Sequence, residues 1–257
     1  RQMCIRDRFR PTTVQLLIDI GNTSLKWAPC ESGAVGAMHS VRHHGGLPID
    51  LQAAWEDLPT PEQVIASNVA GTALADALTR SCHARWGREP RFARTEPRRN
   101  GLAIAYGNPE ALGVDRWLAM LAAHRGFEGP TLVVDAGTAA TYDLLLADGR
   151  HLGGLIVPGV GMMRQGLHCG TRVPRAELQA SILPWAVDTA TAVSAGPVQA
   201  LGALAERLRD RLEGVAGGEA QIILCGGDAP LLRPVIGGSV RCQDDLVLRG
   251  LAVLLTC

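Results

Sequence analysis

The sequence predicts an α/β protein built as two similar halves, each a mixed sheet with helices. Two observations carry this. A near-continuous apolar run ends in Asp19-Ile20-Gly21-Asn22-Thr23 and an alternating run follows at once through Ser24, Leu25, Lys26, Trp27 and Ala28, which predicts a strand, a tight turn and an antiparallel partner with no helix between. The same pattern returns from Thr131 to Leu146, with Asp135-Ala136-Gly137-Thr138 at the turn. A supersecondary unit used twice in one chain indicates a duplicated scaffold.

The chemistry of the first turn is that of a phosphate cradle. Gly21 lets backbone N–H groups come close to a ligand, Asn22 and Thr23 add side-chain donors, and Lys26 adds a charge. Asp19 would repel phosphate unless a cation sat between them, so its expected task is to hold hydrated Mg²⁺. Gly-Asn alone is an ordinary hairpin turn, and Asp beside it an ordinary turn former. The recurrence is what favours the ligand.

The chain has 257 residues, 47% of them hydrophobic, enough for one large domain or two modest ones. Formal net charge is zero, which gives no electrostatic case for nucleic acid or an anionic membrane. Seven scattered cysteines form neither a Cys-x-x-Cys pair nor a zinc-finger spacing and are expected to be reduced packing residues of a cytoplasmic protein. No apolar stretch reaches membrane-spanning length. Residues 1–13 are set aside as a charged tail, disordered or foreign to the fold. The halves are assigned to 14–117 and 118–257.

In chain order, Ala34 to Val41 is expected to be a third strand, followed by a surface loop with His43 and His44, whose adjacency does not suit metal binding. A short helix over Leu51 to Leu58, a buried strand over Gln63 to Ser67 and an amphipathic helix over Gly71 to Trp86 follow. The basic run Arg91 to Arg99 is expected to be a solvated loop. Asn108-Pro109 opens a helical turn, Gly113 interrupts it, and a firmer helix runs to Arg125. Asp115 either caps that helix or takes a proton, with Arg116 gripping an anion through its planar fork. After the second hairpin come a strand over His151 to Val157, a helix whose Met162 and Met163 are expected to pack, and a long helix from Asp188-Thr189 to about Leu212 that Pro197 should kink or start. A buried strand over Gln221 to Cys225 and a helix over Leu246 to Leu255 close the series.

These residues resemble the actin/hexokinase/Hsp70 superfamily, whose ribonuclease H-like halves hold ATP in a cleft. Within it the ordered set Asp19-Ile20-Gly21-Asn22-Thr23-Ser24-Leu25-Lys26, Tyr106 seven residues before Gly113-Val114-Asp115-Arg116, Asp135-Ala136-Gly137-Thr138, Gly153-Gly154 with Pro158-Gly159, Asp188-Thr189 and Gly226-Gly227-Asp228 resembles the type III pantothenate kinases. The resemblance spans the chain from about Val14 onward. It implies phosphorylation of pantothenate by ATP, the first step of coenzyme A synthesis. It also implies ATP binding by Asp19 to Lys26 and Thr138, Mg²⁺ near Asp19, and a monovalent cation, K⁺ or NH₄⁺, at Asp135. Pantothenate would bind at Tyr106, Gly113, Val114 and Arg116, with Asp115 as general base. Thr189 would reach pantothenate across the interface of a homodimer. The alternative is a non-catalytic regulatory protein of the same fold that binds ATP or pantothenate; a base at Asp115 beside Arg116 argues against it. Sugar and acetate kinases share the phosphate turns without the Tyr106 to Arg116 segment.

Overall fold

The computed structural model describes residues 14–56, 58–173 and 182–255; the N-terminal tail lies outside them. The first half runs β1 (Val14–Ile20), β2 (Ser24–Glu31), β3 (Ala34–Val35), β4 (His39–Arg42), α1 (Ile49–Ala54), β5 (Gln63–Asn68), α2 (Thr72–Trp86) and β6 (Pro90–Phe92). A small hairpin, β7 (Arg98–Arg99) and β8 (Leu102–Ala103), and a 3₁₀ turn at Pro109–Ala111 lead into α3 (Val114–Gly126). The second half runs β9 (Thr131–Ala136), β10 (Ala139–Leu145), β11 (His151–Pro158), α4 (Val160–Gly170), α5 (Thr189–Ala216), β12 (Gln221–Cys225), α6 (Ala229–Leu232), β13 (Val240–Cys242) and α7 (Leu246–Val253).

The two sheets share one topology. The first is ordered β3-β2-β1-β5-β6, with β4 also on β2, and the second β11-β10-β9-β12-β13. In each, the central strand pairs antiparallel with its hairpin partner and parallel with the strand after the helices. Central strands β1 and β9 are buried on both faces, which is why they read as apolar runs. Period-2 alternation then sorts their side chains between layers. Leu16, Ile18 and Ile20 join α1 and α2 on the outer side of the first sheet, whereas Leu17 faces inward.

The inner layer is shared by both halves. Helices α3 and α7 lie between the sheets, where Leu17, Ala28 and Ile65 of the first and Val133, Leu145 and Ile223 of the second join one apolar cluster with Trp117, Leu121 and Leu251. The division at residue 117 therefore falls within α3. On the far side of the second sheet, α5 buries Val198, Leu201, Leu208 and Leu212, and the buried Tyr142 hydroxyl donates to the Leu201 carbonyl at 3.0 Å. The stripe of α5 is thus spent inside the subunit.

Several local expectations are corrected. The third strand divides into β3 and β4, and the short helix is Ile49–Ala54. The basic run is not all loop: Arg91 and Phe92 belong to β6, in parallel register with Ile65 and Ala66, and Arg98 and Arg99 form β7. Gly113, not Asp115, is the N-cap of α3. Helix α5 starts at Thr189, and the buried Pro197 lies within it. Met162 is exposed. His43 is buried while His44 is exposed.

Helices α3 and α7 cross at Gly250, where a β-carbon would collide with the Leu118 carbonyl. Gly250→Ala should lower stability by about 1–3 kcal/mol through overpacking, measurable by urea unfolding of the wild type and the variant.

Candidate active site

The two hairpin turns meet. Thr23 Oγ1 lies 2.6 Å from Thr138 Oγ1, so the tip of one half touches the tip of the other. Each turn is closed by its glycine N–H, Gly21 donating to the Ser24 carbonyl three residues on at 3.0 Å and Gly137 to the Ala139 carbonyl two residues on at 3.1 Å. Ile20 and Leu25 are fully buried core residues, so only their backbone can serve a ligand. Asn22 is exposed at the tip.

Each turn is braced from behind. The buried His43, just after β4, donates through Nε2 to the Gly21 carbonyl at 2.7 Å, and its own N–H donates to the Thr23 carbonyl at 3.0 Å. A carbonyl can only accept, so Nε2 carries the proton, and Nδ1 accepts from Gly45 N–H at 3.4 Å. On the second turn, Gly159 N–H donates to the Thr138 carbonyl at 3.0 Å and Asp228 N–H to the Ala136 carbonyl at 2.8 Å. Those bonds give the Pro158-Gly159 and Gly226-Gly227-Asp228 segments their place beside the cleft.

Behind the turns sit carboxylates in equivalent registers. Asp19 lies opposite Lys26 on β2 and Ser67 on β5, and Asp135 opposite Thr141 on β10 and Cys225 on β12. Burial pushes the Asp19 carboxyl up to about 7, with the Asp115 charge adding to it and Lys26 pulling it back. Burial likewise raises Asp135 to about 6 against the pull of Lys26, with Asp115 and Asp143 adding to it. The Asp115 carboxyl is also raised by burial, although Arg116 N–H donates to its Oδ1 at 2.8 Å. Asp19, Asp115, Asp135 and Lys26 thus share one field.

This donor set fits a cation. Asp19 Oδ1 is buried with no hydrogen-bond partner, and such an oxygen is costly unless a positive ligand meets it. Among the described residues no group of three or more His, Cys, Asp or Glu could hold a metal ion by itself. A hydrated divalent ion needs no more than one or two carboxylates from the protein, the rest of its shell being water and phosphate oxygens.

Alongside lies a second cluster. Arg116 Nη1 donates to the Tyr106 hydroxyl at 3.2 Å, while Nε and Nη2 grip both oxygens of Asp143, at 2.9 and 2.6 Å. Burial opposes the guanidinium charge, but the bonds to Asp143 outweigh it and Arg116 is held firmly protonated. One edge of the fork expected to seize an anionic group is therefore already taken. The Tyr106 ring stacks on His151, 6.1 Å between centroids and 10° between planes. Thr189 is exposed at the first turn of α5, behind the Asp188 cap, and makes no side-chain hydrogen bond to these groups.

Three residues at the site carry no role in the sequence reading: His43, Asp143 and His151. The available signal was strongest for Asp143, a charged residue in the middle of the apolar strand β10. A charge there must be paired or functional.

Two phosphate-type turns meeting between duplicated α/β halves, with buried carboxylates behind them, define a kinase of the actin-like ATPase fold. A glucokinase of the ROK family from Streptomyces griseus, solved in complex with glucose and AMPPNP, shares this fold with a TM-score of 0.51 and 12% identity, covering 94% of this chain and 98% of that one. The sequence profile of the type III pantothenate kinases matches residues 15–211. A type III pantothenate kinase of Nitrosococcus oceani is 35% identical over 246 residues, 92% of each chain. One from an Azoarcus species is 37% identical over 249 residues, 93% of this chain and 89% of that protein. The chain belongs to the type III pantothenate kinase family.

The raised carboxyls predict a pH dependence. Below the ordinary carboxyl value of 3.8 the folded and unfolded states are both protonated. As pH climbs toward the folded values of about 7 for Asp19 and about 6 for Asp135, the unfolded chain sheds protons first and stability is lost. Without ligand, Asp19→Asn should therefore gain on the wild type progressively between about pH 4 and 7 and keep that gain above it, by on the order of a few kcal/mol. Urea midpoints across that range measure it.

Proposed function

We propose that the protein transfers the γ-phosphoryl group of ATP to the primary hydroxyl of pantothenate, giving 4′-phosphopantothenate and ADP, the first step of coenzyme A synthesis. The observation that carries this reading is that Asp115, near the end of the Tyr106 to Arg116 segment and at the start of α3, lies within electrostatic reach of Asp19, behind the first phosphate turn. It brings an acceptor-binding segment and a phosphate cradle into one field.

In this reading Asp19 to Lys26 and Thr138 hold the ATP phosphates through turn backbone, hydroxyls and the Lys26 charge. Asp19 faces Mg²⁺, and Asp135 a monovalent cation, K⁺ or NH₄⁺. When bound, Mg²⁺ offsets charge on the phosphoryl oxygens. Tyr106, Gly113, Val114 and Arg116 bind pantothenate. Its hydroxyl oxygen forms the new bond to the γ-phosphorus as the bond to the ADP oxygen breaks, and the hydroxyl proton passes to Asp115. An alcohol holds its proton too tightly to lose it beforehand, so Asp115 orients the hydroxyl and accepts the proton as the P–O bond forms. Its raised carboxyl makes it a better acceptor than an exposed aspartate.

Thr189 then belongs to a partner's site in a homodimer. Supporting this are exposed apolar side chains on strand β11 (Leu152, Leu155, Ile156), helix α4 (Met162, Leu167) and the approach to α5 (Trp185, Val187). Leu155 and Ile156 are consecutive in a strand, so both faces of it are open to a neighbour. The cysteines at 30, 82, 169, 225 and 242 are free, which fits work in the cytoplasm. No described helix is long and apolar enough to cross a membrane.

Purified protein supplied with ATP, Mg²⁺ and pantothenate should yield phosphopantothenate with K⁺ and much less with Na⁺. Asp115→Asn should lower kcat by about 10²–10⁴-fold. Absence of product under every cation would overturn the kinase reading. Analytical ultracentrifugation should give a dimer for the wild type and a monomer with little activity for Ile156→Asp; a monomeric, fully active wild type would remove the shared site.

A further inference from the structure

One buried charge has no part in the transfer itself. Asp143, 1% exposed in the middle of β10, spends both carboxylate oxygens on Arg116, and its Oδ1 lies 3.1 Å from His151 Nε2. We propose that Asp143 is a positioning residue for recognition of the acceptor's carboxylate, fixing Arg116 so that its Nη1 edge, shared with the Tyr106 hydroxyl, is the part offered to the acceptor. The inference rests on the kinase reading of this site and adds to it the means of choosing the acceptor.

Three independent features converge on that carboxylate. The first is the two-point grip itself, which fixes the plane of the guanidinium as a single hydrogen bond would not. The second is His151, whose side chain is fully buried. Its Nδ1 accepts from Ala105 N–H at 3.4 Å, which leaves the proton on Nε2, 3.1 Å from Asp143 Oδ1 but not aligned into a hydrogen bond with it. The same ring stacks on Tyr106. One carboxylate thereby holds Arg116 directly and lies against the ring on which Tyr106 stacks.

The third is Gly154 on β11, paired with Asp143 across the sheet. A β-carbon there would collide with the Tyr142 carbonyl, Asp143 Oδ1 and Arg116 Nη2. The glycine pair that stood without a role in the sequence thus leaves room for the ion pair.

Compensation also bears on selectivity. A bare guanidinium beside a phosphate cradle would attract ATP phosphates as readily as a carboxylate. With Asp143 cancelling its net charge, Arg116 recognises its ligand by the direction of the remaining N–H bonds, and a misplaced phosphate gains little.

The test compares two acceptors, pantothenate and its analogue in which the carboxylate is replaced by a primary alcohol. In Asp143→Asn the KM for pantothenate should rise about ten- to a hundredfold, the loss expected for charge-assisted bonds held out of line. The KM for ATP should move less than about twofold, and kcat/KM for the uncharged analogue should change little. The preference for pantothenate over the analogue then collapses. Unchanged preference, or an equal loss for both acceptors and ATP, overturns the proposal. Should Asp143→Asn fail to fold, Asp143→Glu decides, because it keeps the buried charge while displacing its grip on Arg116, and the same selective loss is expected. Wild-type turnover separates the two readings: its absence overturns the kinase reading and this proposal together, whereas turnover with unchanged preference in the variants overturns this proposal alone.

Discussion

Like charges buried together set the terms for this molecule. Burial raises the proton affinity of Asp19, Asp115 and Asp135, and the Asp115 charge adds to the rise at Asp19 and Asp135, where Lys26 pulls the other way. Carboxylates left to themselves would separate or draw in water. Here they are carried on a strand end, a helix start and a second strand end, all anchored in a common apolar layer. The arrangement costs stability in the empty protein, and charged ligands recover it. A site of this kind stores its affinity for cations and phosphates in the unmet needs of its own groups.

The rigidity that makes this possible comes from duplication with shared filling. Each sheet presents its turn at the same end of its central strand, and α3 and α7 fill the space between the sheets. The turns therefore meet at Thr23 and Thr138 as a consequence of how the inner layer packs. Small differences between the halves then assign different tasks. Ser67 flanks Asp19 where Cys225 flanks Asp135, so one carboxylate has a hydroxyl neighbour and the other a thiol.

Much of this was legible in the sequence, and the boundary of legibility is physical. Strands β1, β9 and β12 are central, buried on both faces, and betray themselves as apolar runs. The two turns show because Asp-x-Gly follows such a run. Strands β6 and β13 are three-residue edges with an arginine in the middle, and only pairing with β5 and β12 makes them strands. His43 and His44 are neighbours of identical chemistry, and the register of β4 on β2 delivers the first to the Gly21 carbonyl. Arg116 was legible as an anion binder, but its counter-ion sits 27 residues away on another element, a distance over which local pattern says nothing.

The placement of α7 has a consequence for how the protein is made. Residues 246–253 cover the inward face of a sheet whose strands come from the start of the fold. As the ribosome extends the chain, Leu17, Ala28, Cys30 and Ile65 emerge early, α3 covers part of their face, and α7 completes the cover last. Through that interval the nascent chain carries an incompletely covered apolar sheet face, the kind of surface that makes folding intermediates prone to aggregate.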